Sequence, residues 1–314
     1  MNHNGRSLKQ SILNFVRNAD TLAIYVPYIK LNLLKEILAE TDNCHFIIVR
    51  WEVKDLLEGA SDLEIYELCK EKNISLFRNP RLHLKLYRDS NSAYLTTANI
   101  SSRAMNDGKF ENYNYELGTK IENLEFEDRL YLQNILDSSL LVDDEMIEQI
   151  KDQLSLLAFD EDGSDFEFNH KPFNREFLLS SLPMSLNLTD FKKYYREKRA
   201  STQVDFDCLI HDLSIYEISL GLTDIELENQ LRKKFFQHPF IIAFLEELES
   251  AGGDLYFGRV RQWLAANCAD CPIPRAWEVT QNVQILYHWI EYLGKGKYKV
   301  DVPGSHSQRI RIVS

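Results

Sequence analysis

Residues 81–101 read RLHLKLYRDSNSAYLTTANIS. Leu82, Leu84 and Leu86 alternate with His83, Lys85 and Tyr87, the period of a strand whose two faces differ. RDSNS supplies turn residues, and AYLTTAN reads as the returning strand. The stretch therefore predicts a β-hairpin with its leucines turned to a core and His83 and Lys85 on the open face. On the return strand Thr97 and Asn99 are also two residues apart and share a face.

Working upstream, residues 7–17 place Leu8, Ile12, Phe15 and Val16 on one helical face. TLAIYVPYI is a β-rich run, and LNLLKEILAE follows as a helix burying Leu33, Leu34, Ile37 and Leu38. HFIIVRW is a near-continuous apolar strand of the kind buried on both faces. DLEIYELCKEK reads as a helix and NISLF as a short strand. This alternation predicts an α/β sandwich built on a mixed sheet. Downstream, NYNYELGTKIE reads as another strand, and FEDRLYLQNILDSSLLVDDEMIEQIKDQLSLL as two helices. The second of these sets Ile147, Ile150, Leu154 and Leu157 on one face.

The acidic run DEDGSDFE, residues 160–167, breaks the composition and marks a boundary. The expected division is a catalytic domain at 1–158, an acidic linker and helical connector at 159–235, and a third domain at 236–314. In that last part PFIIAFLEELESAGG and LYFGRVRQWLAANC read as helices. A third helix carries Val283, Leu286, Tyr287, Ile290 and Leu293 on one face, and GKGKYKVDV with SQRIRIVS reads as a hairpin. Three helices followed by a hairpin form the pattern of a winged helix-turn-helix.

The chain has 314 residues and a net charge of −12, so bulk charge does not draw it to nucleic acid, and any such site must be a local basic patch. No apolar run reaches the length of a membrane span, and MNHNGRSLKQS lacks the apolar core of a signal peptide. A cytoplasmic protein is the expectation. The 5 cysteines are scattered and suit reduced thiols. Cys268 and Cys271 form one CxxC pair without a second pair at zinc-ribbon spacing, so two thiols in a loop are the simpler reading.

A site for phosphodiester cleavage needs a nucleophile or activated water, a proton donor for the leaving oxygen, and groups that hold the anionic phosphate. His83 and Lys85, roughly 7 Å apart along a strand, can both touch one phosphate. The Thr97 hydroxyl and the Asn99 amide can donate to its non-bridging oxygens. Glu116, in NYNYELG, is placed to accept a hydrogen bond from the far ring nitrogen of His83 and so orient the ring.

These residues resemble the HKD motif of the phospholipase D superfamily: His83, Lys85, Asp89, then Thr96, Thr97, Ala98 and Asn99 after six residues. NYELG is similar to the Asn-x-Glu-hydrophobic-Gly strand that follows the motif in that family, and YVPYI, IIVRW and LCKEKNISLF occupy the upstream places. The resemblance covers about residues 1–150. It departs in two places. Asp89 comes one residue early, and Thr96-Thr97 stands where Gly-Ser is usual.

The resemblance implies a mechanism with two histidines. One forms a covalent phosphohistidine, and the other serves first as acid and then as base. It implies no metal and no cofactor, with Lys85 and its symmetry mate neutralising the phosphate. Among the 8 histidines only His83 is followed by a lysine two residues on. A single motif implies a homodimer with the site on its two-fold axis. Single-motif members are mostly nucleases, including restriction endonucleases, so DNA cleavage in restriction or antiviral defence is the expected role. A regulatory or defence-system partner protein would then hold the activity in check.

The third helix of the last domain turns Trp277, Gln281, Gln284, His288 and Glu291 outward. Gln281 and Gln284 suit adenine edges, and Arg275 suits a phosphate or guanine. Lys295, Lys297, Lys299, Arg309 and Arg311 would form a basic wing for DNA. GKGK lacks the spacing of a Walker A loop. Two rival readings are a lipid phosphodiesterase, disfavoured by the single motif, and a DNA-binding or regulatory protein with a relict site.

Overall fold

The computed structural model describes residues 2–105, 113–157, 177–270, 278–303 and 307–313. The chain divides into two compact units, one formed by residues 1–125 and 138–168, the other by residues 126–137 and 169–314. The acidic run at 160–167 lies outside the described residues, as do Cys271, Arg275 and Trp277. No helix among the described residues is long and apolar enough to cross a membrane.

The first unit is α/β. In chain order it runs β1 (Asn2–Asn4), α1 (Gly5–Arg17), β2 (Leu22–Tyr25), α2 (Leu31–Leu38), β3 (Cys44–Val49), α3 (Val53–Leu57), α4 (Ile65–Glu71) and β4 (Ser75–Arg78). Then come β5 (Leu86–Arg88), β6 (Ala93–Thr96) and β7 (Leu117–Ile121). Helix α5 (Phe126–Asp137) belongs to the second unit, and β8 (Leu140–Leu141) and α6 (Asp144–Leu157) complete the first. The eight strands form one mixed sheet in the order β1-β7-β6-β5-β2-β3-β4-β8. Strands β2, β3 and β4 are parallel and the remaining pairs antiparallel.

The parallel strands are joined by the two helices the sequence predicts, α2 and α4, with the short α3 in addition, because only a crossover can return the chain for parallel pairing. Across five strands the register aligns Tyr94, Tyr87, Ile24, Ile47 and Leu76 in one row. Against it pack the predicted apolar faces of α1 (Leu8, Ile12, Phe15, Val16) and α2 (Leu33, Leu34, Ile37, Leu38), with Ile147 and Ile150 of α6. The alternate row carries Leu86, Tyr25, Ile48 and Phe77, of which the first three are buried. Strand β3 is therefore apolar on both sides, as its sequence predicts.

The second unit is mainly helical. Helices α7 (Leu188–Glu197), α8 (Gln203–Ile215) and α9 (Asp224–Gln237) precede α10 (Pro239–Ser250), β9 (Asp254–Tyr256), α11 (Phe257–Asn267) and α12 (Glu278–Leu293). Strands β10 (Tyr298–Asp301) and β11 (Arg309–Ile312) close the chain, and the three strands order as β10-β11-β9. The long periodic stretch before residue 236 is two helices, broken where Glu217 and Gly221 take left-handed backbone and restarted by a Thr223/Glu226 capping box. One core holds α5 and α7 to α12 together. At its centre Trp289 packs on Phe191, Tyr216 and Phe235 and donates its indole N–H to the Ser185 carbonyl at 2.9 Å.

Two stability predictions follow from these cores. A Cβ at Gly118 would lie 2.6 Å from Leu8 Cδ1 and 2.7 Å from Tyr94 Cε1. Gly118→Ala should therefore lower the unfolding free energy by about 1–3 kcal/mol, read from urea denaturation. The second concerns His211, whose ring is buried between two acceptors, Asp212 Oδ1 at 2.9 Å from Nδ1 and the Ser180 carbonyl at 2.6 Å from Nε2. Burial opposes charging the ring, but Asp212 and, less strongly, Asp137 and Ser180 outweigh it and raise the pKa above 6.5. Its stabilising effect is then full below the unfolded pKa and is lost as pH rises through the folded one. The stability gap between wild type and His211→Gln should shrink with rising pH, and a gap that widens with rising pH would show a ring held neutral.

Candidate active site

The carboxyl ends of the parallel strands β2 and β3 define one end of the sheet. Because β5 runs antiparallel to β2, β6 to β5 and β7 to β6, β5 begins, β6 ends and β7 begins at that same end. His83 and Lys85 lead into β5, Thr97 and Asn99 follow β6, and Glu116 immediately precedes β7. The topology thus gathers all five at the sheet end where open α/β sheets carry their ligands.

The predicted strand over residues 82–87 is shorter in the structure, and His83 and Lys85 lie ahead of it rather than on its face. The Asn79 side chain accepts the Arg81 N–H at 3.0 Å, and the Asn79 carbonyl accepts the Leu82 N–H at 3.0 Å. That turn holds the chain away from the ladder until Lys85, whose carbonyl accepts the Thr96 N–H at 3.0 Å. Tyr87, expected on the open face with His83, is fully buried in the row described above. Asp89 anchors the far end of the hairpin. Its Oδ1 accepts the N–H groups of Asp20 at 3.0 Å and Thr21 at 3.1 Å, which ties the β5–β6 turn to the start of β2.

Lys85 Nζ lies 3.3 Å from His83 Nε2 and donates to the His83 carbonyl at 2.9 Å. The imidazole is exposed and the ammonium half-buried. Glu116 faces other partners than the His83 ring expected from the sequence. Its carboxylate accepts a hydrogen bond from the Thr97 hydroxyl and another from the Asn114 amide at 3.2 Å. Thr97 Oγ1 in turn accepts the Leu117 N–H at 3.0 Å, so the hydroxyl is engaged on both sides. The buried Thr96 hydroxyl donates to the Leu117 carbonyl at 3.0 Å and accepts the Ala98 N–H at 3.1 Å. The two threonines therefore stitch the end of β6 to β7. Asn99 is half-buried, and its Oδ1 has no hydrogen-bond partner among the described residues.

Burial lowers the Lys85 pKa; Glu116 opposes this and Arg50 adds to it. Arg50 is a charged neighbour of Lys85 that the sequence reading passed over. It follows β3 directly, at the same sheet end, and its guanidinium lies 4.8 Å from the Tyr28 ring centre and grips Asp55, with Nε to Oδ2 at 2.8 Å. Trp51, next in the chain, has a left-handed φ of 42° and is wholly buried, which fixes the turn that presents Arg50. The signal was available: a cation immediately after a doubly buried parallel strand. His45, by contrast, sits near the opposite, amino end of β3.

In the second unit, Gln281, Gln284 and His288 are exposed on α12. Glu291 is occupied, accepting the Val300 N–H at 2.9 Å. The expected basic wing is partly neutralised. Arg309 pairs with Asp301 at 3.0 Å and Asp254 at 3.0 Å, and Arg311 Nε with Asp301 at 2.9 Å. Lys295 lies 3.5 Å from Glu228, whereas Lys297 and Lys299 are exposed without an ion pair among the described residues.

No protein-family model and no curated protein matches the chain. Among solved structures it is similar to a phosphatidylserine synthase from Haemophilus influenzae Rd KW20, at 18% identity and a TM-score of 0.37, over 52% of this chain. The match spans 44% of that synthase, less than half its length. It is also similar to NucT from Helicobacter pylori, at 17% identity and a TM-score of 0.36, over 45% of this chain and 99% of that one. A third is TrmBL2, an archaeal chromatin protein reported to show a novel mode of DNA binding, at 13% identity and a TM-score of 0.27, over 50% and 51% of the two chains.

The opposing influences on Lys85 give a paired prediction. Glu116→Gln removes the charge that raises its pKa, so the pKa should fall further. Arg50→Gln removes a charge that lowers it, so the pKa should rise. NMR titration of the lysine side chain reads both, and an unchanged pKa in the two variants would show that neither charge acts on Lys85.

Proposed function

We propose that the first unit is one half of a phospholipase D-like site that cleaves phosphodiesters in DNA without a metal, through a covalent phosphohistidine. The observation that carries the reading is the convergence of His83 Nε2 and Lys85 Nζ to 3.3 Å at an accessible sheet end. A nucleophilic nitrogen and a phosphate-neutralising cation are thereby presented to one point.

One imidazole cannot be both attacking base and proton donor in a single step, and among the described residues the hairpin brings one ring, His83, to this place. A second copy about a two-fold axis supplies the other. The neutral ring attacks phosphorus, a P–N bond forms, and the P–O bond to the leaving group breaks. The leaving oxygen takes a proton from the second, protonated ring. That ring, now neutral, takes a proton from water, whose oxygen attacks phosphorus as the P–N bond breaks. Lys85 from each copy neutralises the non-bridging oxygens, and Asn99 contributes an amide. Thr97 and Glu116, bonded to each other, act as positioning residues that fix the end of β6.

DNA is favoured as substrate because the element order α10-β9-α11-α12-β10-β11 follows a winged helix and α12 exposes Gln281, Gln284 and His288. A role in restriction or defence, with a partner protein controlling the nuclease, fits this pairing. The test is incubation of single- and double-stranded DNA, RNA and phospholipid vesicles with the protein in excess EDTA. The reading expects cut DNA and a loss of at least about 10³-fold in His83→Ala. Headgroup release with intact nucleic acid would assign a lipid substrate instead. DNA cleavage that survives in His83→Ala, or that stops in EDTA, would refute the mechanism.

A further inference from the structure

A groove of about 560 Å³ lies wholly within the second unit, between α9, α10 and the turn from α12 to β10. That volume is in the ordinary range for small-ligand sites, roughly 300–1,000 Å³. Arg232, Lys233 and Lys297 line it, and no carboxylate does. None of the three has an ion pair among the described residues. The cations around them are matched: Lys192 and Lys295 to Glu228, and Lys234 to Glu217. In a chain of net charge −12, three unmatched cations in one concavity focus positive potential there.

The rest of the lining is two aromatic rings and two amides, with Leu245 and Gly294. Phe236 is half-buried and stacks on the buried Tyr298, with ring centres 6.1 Å apart at 25°. Lys297 Nζ lies 5.2 Å from the Tyr298 ring centre. Gly294 lets Tyr298 sit close, since a Cβ there would meet Tyr298 Cδ2 at 2.7 Å. Asn229 and Gln237 add amides that can both donate and accept.

We infer that this groove binds a nucleoside phosphate. The phosphates meet Arg232, Lys233 and Lys297, the base lies against Phe236, and the two amides meet its polar edge. The ligand is either a free nucleotide or the terminal nucleotide of a strand. The site is independent of the His83 chemistry, because every residue in it belongs to the other unit.

The experiment is isothermal titration of the full-length chain with ATP, GTP, a ten-nucleotide single strand and pyrophosphate, in EDTA. The wild type is compared with Arg232→Glu/Lys233→Glu, Lys297→Glu and Phe236→Leu, each first checked for wild-type thermal unfolding. Charge reversal at either place should weaken nucleotide or strand binding at least tenfold, roughly 1.4 kcal/mol. Phe236→Leu should weaken it severalfold while leaving pyrophosphate unchanged. Binding of ATP or GTP assigns a free nucleotide, and binding of the strand alone assigns a nucleic-acid end. The proposal is overturned if neither binds, if pyrophosphate binds as tightly as the nucleotides, or if the charge reversals leave binding unchanged. Cleavage by the first unit can be present or absent in any of these cases, so the two readings fail separately.

Discussion

The register between β6 and β7 is the constraint on which the first unit depends. Thr96 faces Gly118, and the pairing continues past the ladder through Thr97 N–H to the Leu117 carbonyl at 2.9 Å and Leu117 N–H to Thr97 Oγ1 at 3.0 Å. A slip of one residue would turn every side chain of β7 to the wrong face. It would also put a side chain where Gly118 now admits Leu8 and Tyr94, so α1 could not seat on the sheet. The same register sets Glu116 beside Thr97. Helix packing and the candidate site therefore share one geometric cause.

Much of the first unit is legible in its sequence because its elements carry strong periods. The buried faces of α1 and α2 and the two-sided burial of β3 come out as read, as does the face of α12 with Val283, Leu286 and Ile290 inside. The gathering of His83, Lys85, Thr97 and Asn99 at one sheet end was also readable, since the short β5–β6 connection leaves the hairpin little choice. What escaped was whatever period cannot encode. Strands β1, β8 and β9 have two or three residues each, too few to alternate visibly. The partner of Glu116 was set beyond the end of β6, where face parity no longer applies. The Asn79 turn that shortens β5 was signalled by Asn-Pro, but the apolar alternation after it reads more strongly.

Charge shows the same difference between composition and geometry. Counting cations near the C-terminus marks Arg309 and Arg311 as part of a basic wing. Cross-strand pairing places Asp301 directly opposite Arg309, and that carboxylate holds both guanidiniums. Among the described residues the wing keeps only Lys297 and Lys299 unmatched, and Arg232 and Lys233 are unmatched on α9, in a stretch whose sequence had suggested only a connector. In an acidic chain the unpaired cation is more informative than the cluster, because a partner was abundant and was not placed.

Helix α5 has a consequence for how the protein is made. The chain passes from the first unit to the second for residues 126–137 and then returns to the first for residues 138–168. Phe126 joins the second core and Arg129 is buried against Asp207 of α8, which begins only at Gln203. At roughly 5–20 residues per second, translation leaves α5 several seconds without its partner. During that time the strands on either side of it can already pair. Until α8 follows, Phe126 and Leu130 of α5 lack the core they pack against. For the same reason no contiguous fragment reproduces either unit: a cut near residue 158 strands α5 with its apolar side uncovered, and a start at residue 169 leaves its slot on α8 empty.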